Sequence, residues 1–149
     1  MSQTPSLRAR ALRYLARREH TRAELENKLA GQAGDESDLA SVLDELTRGG
    51  FLSDQRALEN LISARRGKRG AARIVHDLRS KGVGEELIAA ALPALKAGET
   101  EAARDVWQRK FGALPQNASE RARQMRFLQS RGFDFETIRV VLRGAEADR

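Results

Sequence analysis

The chain has 149 residues, 27 of them Lys or Arg against 21 Asp or Glu, a net charge of +6, and no cysteine. That length suits one ordinary domain or a few small modules sharing a core, and the absence of cysteine excludes a disulfide framework and thiol chemistry. No apolar run approaches the roughly 18 residues of a membrane-spanning helix, and Arg8, Arg10 and Arg13 interrupt the opening stretch where an export signal would need continuous apolar residues; the expectation is a folded, cytoplasmic protein without a membrane partner.

Leucines at spacings of three and four dominate the first third: Leu12 and Leu15, Leu25 and Leu29, then Leu39, Leu43 and Leu46. That is the helical period, and β-branched and aromatic residues, the usual material of strands, are scarce. In chain order the pattern predicts helices over residues 6–19, 22–31 and 37–48, then 53–66, 70–81 and 84–92, then 100–111, 118–131 and 134–143. Starts are marked by the capping-box patterns Thr21-Arg-Ala-Glu24 and Asn117-Ala-Ser-Glu120 and by the simpler N-caps Ser53 and Asp134. Stops are marked by Gly31, Gly49-Gly50, Gly82, Gly98, Gly112, Gly132 and Gly144, each suited to a left-handed C-terminal turn. Pro93, inside "LIAAALPALKAG", is expected to break a helical hydrogen bond and to mark the junction of the second and third repeats, with a kinked continuous helix as the alternative.

Two phrases echo each other: "LRSKGV" at 78–83 and "LQSRGF" at 128–133. A shift of 50 carries Leu61, Leu78, Val83, Ile88 and Leu92 onto Phe111, Leu128, Phe133, Ile138 and Leu142. A shift of 49 carries Leu12, Leu25, Leu29, Leu39 and Leu43 onto Leu61, Ile74, Leu78, Ile88 and Leu92. The fold class that follows is all-α, three tandem three-helix repeats resembling helix-turn-helix units, over residues 1–50, 51–95 and 96–149. Such repeats stack in a line, so an elongated array is expected. The echoed phrase ends each middle helix, with Gly82 or Gly132 stopping it and Val83 or Phe133 folding the chain back onto the core.

Catalytic chemistry finds no constellation. His20 and His76 stand apart without metal-type spacing, no phosphate loop, dinucleotide fingerprint or H-E-x-x-H occurs, and Asp35, Glu36 and Asp38 lack the ordered ligands of a calcium loop. No enzyme activity and no cofactor are expected. Charge is more informative. Residues 1–50 carry eight charges of each sign, whereas Arg56, Arg65, Arg66, Lys68, Arg69, Arg73, Arg79 and Lys81 face only Glu59 and Asp77 between residues 56 and 82. A second cluster, Arg121, Arg123, Arg126 and Arg131, lies on the equivalent middle helix of the third repeat. Clustered cations of this kind suit a polyanion, either nucleic-acid backbone or an acidic protein surface. The third helices present acids and apolar residues where base readers would be needed, and one Tyr, one Trp and five Phe supply little stacking. Contact is therefore expected to backbone.

The stretches "ALRYLARREHTRAELENKLA", "VLDELTRGGFLSDQRALENLI", "AARIVHDLRSKGV" and "RQMRFLQSRGFDFETIRVVL" resemble the RecX regulators of the RecA recombinase over nearly the whole chain. The resemblance implies tandem three-helix repeats and a negative modulator that binds RecA filaments, limits their growth and suppresses ATP hydrolysis and strand exchange. It also implies non-specific affinity for the backbone of single- and double-stranded DNA. Phe51, Asp54, Arg56, Gly132 and Phe133 fit the family pattern in what read as structural positions. The candidate contacts to DNA or RecA are Arg65, Arg66, Lys68, Arg69, Arg73, Arg79, Lys81, Arg121, Arg123, Arg126 and Arg131, on a chain read as a monomer. A DNA-binding architectural protein acting without RecA is the alternative.

Overall fold

The computed structural model describes residues 5–32 and 36–143. Among these are nine α-helices and no strand: α1 Leu7–Arg17, α2 Arg22–Leu29, α3 Glu36–Arg48, α4 Asp54–Arg65, α5 Ala71–Ser80, α6 Glu85–Ala97, α7 Glu99–Lys110, α8 Ala118–Ser130 and α9 Phe135–Arg143. A 3-10 turn, Ala30–Gln32, extends α2. Several starts lie where a side chain takes up an orphan amide. Thr21 and Glu24 form the reciprocal capping box of α2. Ser53 accepts from the Arg56 amide and Asp134 from the Thr137 amide. Asn117 accepts from the Glu120 amide, but the Glu120 carboxylate reaches back to the Gln116 amide instead of Asn117, so that box closes one residue early.

Pro93 does not break α6, which runs through it to Ala97. The residue that loses a partner is Ala89, whose carbonyl would have accepted the missing amide; both residues are exposed, so water can satisfy it. The helix ends instead before Gly98, which has φ −92° and caps α7 without a side-chain bond. Gly31 lies in the 3-10 turn, and like Gly98 it does not take the left-handed conformation expected of it. The left-handed glycines are Gly50, Gly67, Gly82, Gly112 and Gly132, and Gly144 lies outside the described residues.

The chain divides into two compact units. One comprises the residues up to Leu61 together with Leu78–Gly84; the other comprises Ile62–Asp77 and the residues from Glu85 onward. The first has a core of Ala11, Leu25, Leu29, Leu39, Leu43, Leu46 and Leu52, with Leu7, Leu12, Tyr14, Leu15 and Val42 packed at its edge. The second has a core of Ala103, Val106, Leu128, Phe133, Ile138, Val141 and Leu142, edged by Trp107, Met125 and Phe127. Leu25, Leu29, Leu39, Leu43 and Leu46 of the first core are leucines that the helical period singles out, and each fully buried aliphatic contributes about 1.5–3 kcal/mol. Val83 and Phe133, the last residues of the echoed phrases, are both buried.

Candidate functional site

The echoed phrases have a second partner besides the core. In the first unit the turn after α5 lies against the start of α2. The Thr21 hydroxyl donates to the Lys81 carbonyl while accepting the Glu24 amide, and the Lys81 ammonium stands 3.5 Å from the Glu24 carboxylate. A Cβ on Gly82 would lie 2.3 Å from the Ala23 Cβ. In the second unit the turn after α8 lies against the start of α5. The Gly70 amide donates to the Arg131 carbonyl at 2.8 Å, and a Cβ on Gly132 would lie 2.3 Å from the Arg73 Cβ. Both turns use a left-handed glycine, φ 82° at Gly82 and 92° at Gly132, which other residues adopt only at a cost of about 1–2 kcal/mol.

The second of these joints assembles cations that are far apart in sequence. Because Gly70 is fastened to Arg131, the loop Arg66–Arg69 is carried to the C-terminal end of α8. The Arg109 guanidinium at the end of α7 donates to the Gly67 carbonyl at 2.6 Å and holds the loop from the other side. The half-buried Phe127 ring meets both the Arg131 guanidinium, 4.6 Å from its centroid, and the Lys110 ammonium at 5.4 Å. Phe111 meets Phe127 edge to face at 5.4 Å and carries the Arg123 guanidinium at 5.8 Å. Arg66 and Lys68 are exposed, Arg69 is half-buried, and among the described residues no carboxylate pairs with any of the three. Arg66, Lys68, Arg69, Arg109, Lys110 and Arg131 thus share one region of the second unit. Cations held without counter-charges attract a polyanion through counterion release, and the aromatic contacts fix two of them in place.

Not every candidate joins this surface. Arg65 and Arg73 both pair with Asp77, at 3.4 and 3.5 Å, which halves what that stretch offers a ligand. Arg79 and Lys81 belong to the other unit, Lys81 paired with Glu24. Arg126 points away from the buried face of α8 set by Gln124 and Leu128, whereas Arg121 lies roughly 160° from Arg123 around the helix, so the four-arginine cluster does not form one stripe. Arg56, part of the same surplus, pairs with Glu19 at 2.9 Å. Arg109 and Lys110 were not among the sequence candidates; two cations ending a helix beside Phe111 read as complements to the helix dipole.

The titratable groups nearby have structural roles. His20 is buried, and burial, followed by the charges of Arg18 and Lys28, holds its pKa below the ordinary imidazole value despite the bond to the Arg18 carbonyl. Since the Lys28 ammonium can only donate to Nε2, the proton of the neutral ring sits on Nδ1 and goes to the Arg18 carbonyl. At the first joint, burial would raise the Glu24 carboxyl, but the Thr21 amide, Arg18 and Lys81 outweigh it and hold the carboxyl below its usual value. At the second, burial and the Asp134 carboxylate push Glu99 up, against the amides of Ala71 and Asp134 that it accepts. The acidic cluster at Asp35, Glu36 and Asp38 falls partly outside the described residues.

Comparison with known proteins matches this chain to three successive RecX domains. The first three-helix domain of RecX covers residues 8–46, the second 53–92 and the third 98–142, corresponding to α1–α3, α4–α6 and α7–α9. The chain is 49% identical over 141 residues to the regulatory protein RecX of Leptothrix cholodnii, covering 95% of this chain and 90% of that one. It is 42% identical to that of Herminiimonas arsenicoxydans, covering 95% and 93%, and 41% identical to that of Pseudomonas putida, covering 96% and 93%. The crystal structure of RecX from Lactobacillus salivarius has the same fold, with a TM-score of 0.80 at 19% identity over 95% of this chain and 94% of that one. With three tandem three-helix domains and relatives of this similarity over nearly its full length, the chain belongs to the RecX family of regulatory proteins.

Proposed function

We propose that this chain restrains the RecA recombinase by binding RecA nucleoprotein filaments and suppressing ATP hydrolysis and strand exchange, with a non-specific affinity for DNA backbone. The observation that carries the reading is the group of cations held without carboxylate partners around the Arg66–Arg69 loop of a RecX-family chain. Three repeats over 1–50, 51–95 and 96–149 would let one monomer touch more than one point of a repetitive polymer. Affinity then comes from several weak contacts, and bridging neighbouring subunits in one geometry opposes the rearrangement that hydrolysis and exchange need. The action requires no catalysis by this chain.

Replacing Arg65, Arg66, Lys68 and Arg69 together by Ala tests it. The side chains are exposed or half-buried and Asp77 keeps Arg73, so melting should change by less than about 1 kcal/mol. Single-strand affinity should fall, the salt slope should shrink by about 0.7 for each phosphate no longer gripped, and inhibition of RecA ATP hydrolysis should weaken in parallel. Undiminished inhibition would remove this surface from the filament contact. If the parent protein fails to bind a RecA filament in salt that strips it from naked DNA, the architectural reading replaces the regulatory one.

A further inference from the structure

We infer a second phosphate-binding site in the first unit, on α1, where counting charges along the sequence shows none. Residues 1–50 balance eight cations against eight acids, but the structure distributes that balance unevenly. Arg8 pairs with Glu45 at 3.1 Å and Arg18 with Glu24 at 3.0 Å. Arg10, Arg13 and Arg17 pair with no carboxylate among the described residues; Arg10 instead donates to the neutral amide oxygen of Gln32 at 2.9 Å, which fixes its direction. The three unneutralised arginines line one open cleft of about 340 Å³ with Pro5, Tyr14 and Gln32. Glu19, Glu24, Glu26, Asp44 and Glu45 are thus spent on other cations, and Arg10, Arg13 and Arg17 face a concavity.

The occupant that fits is the phosphodiester backbone of a single nucleic-acid strand. Arg10, Arg13 and Arg17 stand at i, i+3 and i+7, on one face of α1, over about 10 Å of helix at 1.5 Å per residue. Flexible guanidinium arms spread over that length can meet two or three successive phosphates, each fork matching a phosphate in bidentate fashion. Pro5 and the Tyr14 ring supply apolar surface between the charges, which suits the sugars that separate phosphates along a strand. Tyr14 does not stack on bases: the Lys28 ammonium stands 4.7 Å from its ring centroid and the His20 ring meets it edge-on at 5.9 Å. The site therefore grips backbone without reading sequence. It shares no residue with the Arg66–Arg69 surface.

The test is Arg13→Ala/Arg17→Ala in the full chain, titrated with a fluorescent oligo-dT over a series of salt concentrations. Both side chains are exposed, so melting should be unchanged. Releasing two phosphates should lower the salt slope by about 1.4, which at 0.1 M salt corresponds to roughly 25-fold weaker binding. Arg13→Lys/Arg17→Lys, which keeps charge but not the fork, should retain the slope and lose only part of the affinity. An unchanged slope in the alanine variant overturns the site. So does a variant that keeps its oligo-dT affinity but no longer binds poly-glutamate, since the cleft would then belong to an acidic protein surface. Because the parent protein is titrated alongside, absence of any DNA binding by the parent would indict the wider functional reading, whereas a slope reduced only in the quadruple loop variant would indict this cleft alone.

Discussion

The two joints do the same task with different groups. A shift of 49 places Thr21 on Gly70, and a shift of 50 places Lys81-Gly82 on Arg131-Gly132, so the joints occupy equivalent positions. At the first, a side-chain hydroxyl reaches the carbonyl of the turn. At the second, the backbone amide of Gly70 reaches it directly, and a Cβ on Gly70 would lie 2.3 Å from the Gly132 carbonyl oxygen. A hydroxyl spans a gap that an amide must close, so the first joint tolerates a side chain at Thr21 where the second requires glycine on both sides. The carboxylates follow suit. Glu24 stays half-buried between Arg18 and Lys81, while Glu99 is buried against amides and the Asp134 carboxylate. The closer approach also accounts for the position of the Arg66–Arg69 loop, since glycine at position 70 is what allows those cations to be carried to Arg131.

Substituting the glycines tests the comparison most severely. Gly132→Ala and Gly70→Ala each drive a methyl into backbone atoms, and Gly132 adds a left-handed φ, so each should cost about 3 kcal/mol or more in urea unfolding. Gly82→Ala meets only the Ala23 methyl, and Ala23→Gly in the same chain should recover the steric part, leaving about 1 kcal/mol of backbone strain. Equal, unrescuable losses at Gly82 would mean the first joint is as close as the second. Thr21→Val comes next. It keeps the shape and removes both the α2 cap and the bond to Lys81, for about 2 kcal/mol, with no counterpart at Gly70.

The helices were legible because leucine spacing and caps are local properties: α2, α4, α8 and α9 start within a residue of where Thr21, Ser53, Asn117 and Asp134 place them. The repeats were legible because burial repeats with them. The purpose of the echo was only half legible. Its glycines read as helix stops, but the groups they abut, Ala23 and Arg73, lie about 60 residues away, and nothing in a helix-stop pattern reports a distant contact. Pro93 misled because the cost of a lost helical bond depends on whether the freed carbonyl faces water, which the sequence does not display. Charge pairing was equally hidden from the sequence. A tally along the chain cannot know that Asp77 serves both Arg65 and Arg73, that Arg109 crosses to Gly67, or that Arg10, Arg13 and Arg17 escape pairing in a segment of zero net charge.

The joints should also respond oppositely to pH. Glu24 has its folded pKa lowered from about 4.5, so its stabilisation is present above that value and is lost as pH falls through the folded pKa. Glu99 has its folded pKa raised from about 4.5, so its contribution is fully present below that value and is lost as pH rises through the folded pKa. Glu24→Gln should therefore lower the melting temperature more at pH 7 than at pH 3. Glu99→Gln, which mimics the uncharged form, should compare more favourably with the parent at pH 7 than at pH 4. Thermal melts across pH 3–8 would show both, and slopes of the same sign would erase the distinction between the two carboxylates.

The smallest effect is expected from Lys81→Gln, and its size decides what holds the first joint together. The ammonium lies 3.5 Å from Glu24 with the lysine side chain 36% exposed, a geometry in which an ion pair contributes about 0–1 kcal/mol. The Thr21 hydroxyl bonds the backbone carbonyl of residue 81, which glutamine supplies equally, so the joint itself should persist and stability at pH 7 should drop by about 0.5 kcal/mol or less. The Glu24 titration should nevertheless move. With Lys81 gone, the Thr21 amide and Arg18 remain to oppose burial, and the folded pKa of Glu24 should rise toward its ordinary value, shifting the acid limb of the melting curve to higher pH. A loss of about 2 kcal/mol at pH 7, matching Thr21→Val, would show that the charge pair rather than the hydroxyl–carbonyl bond fastens the turn to α2, and the two joints would then differ in electrostatics rather than in reach.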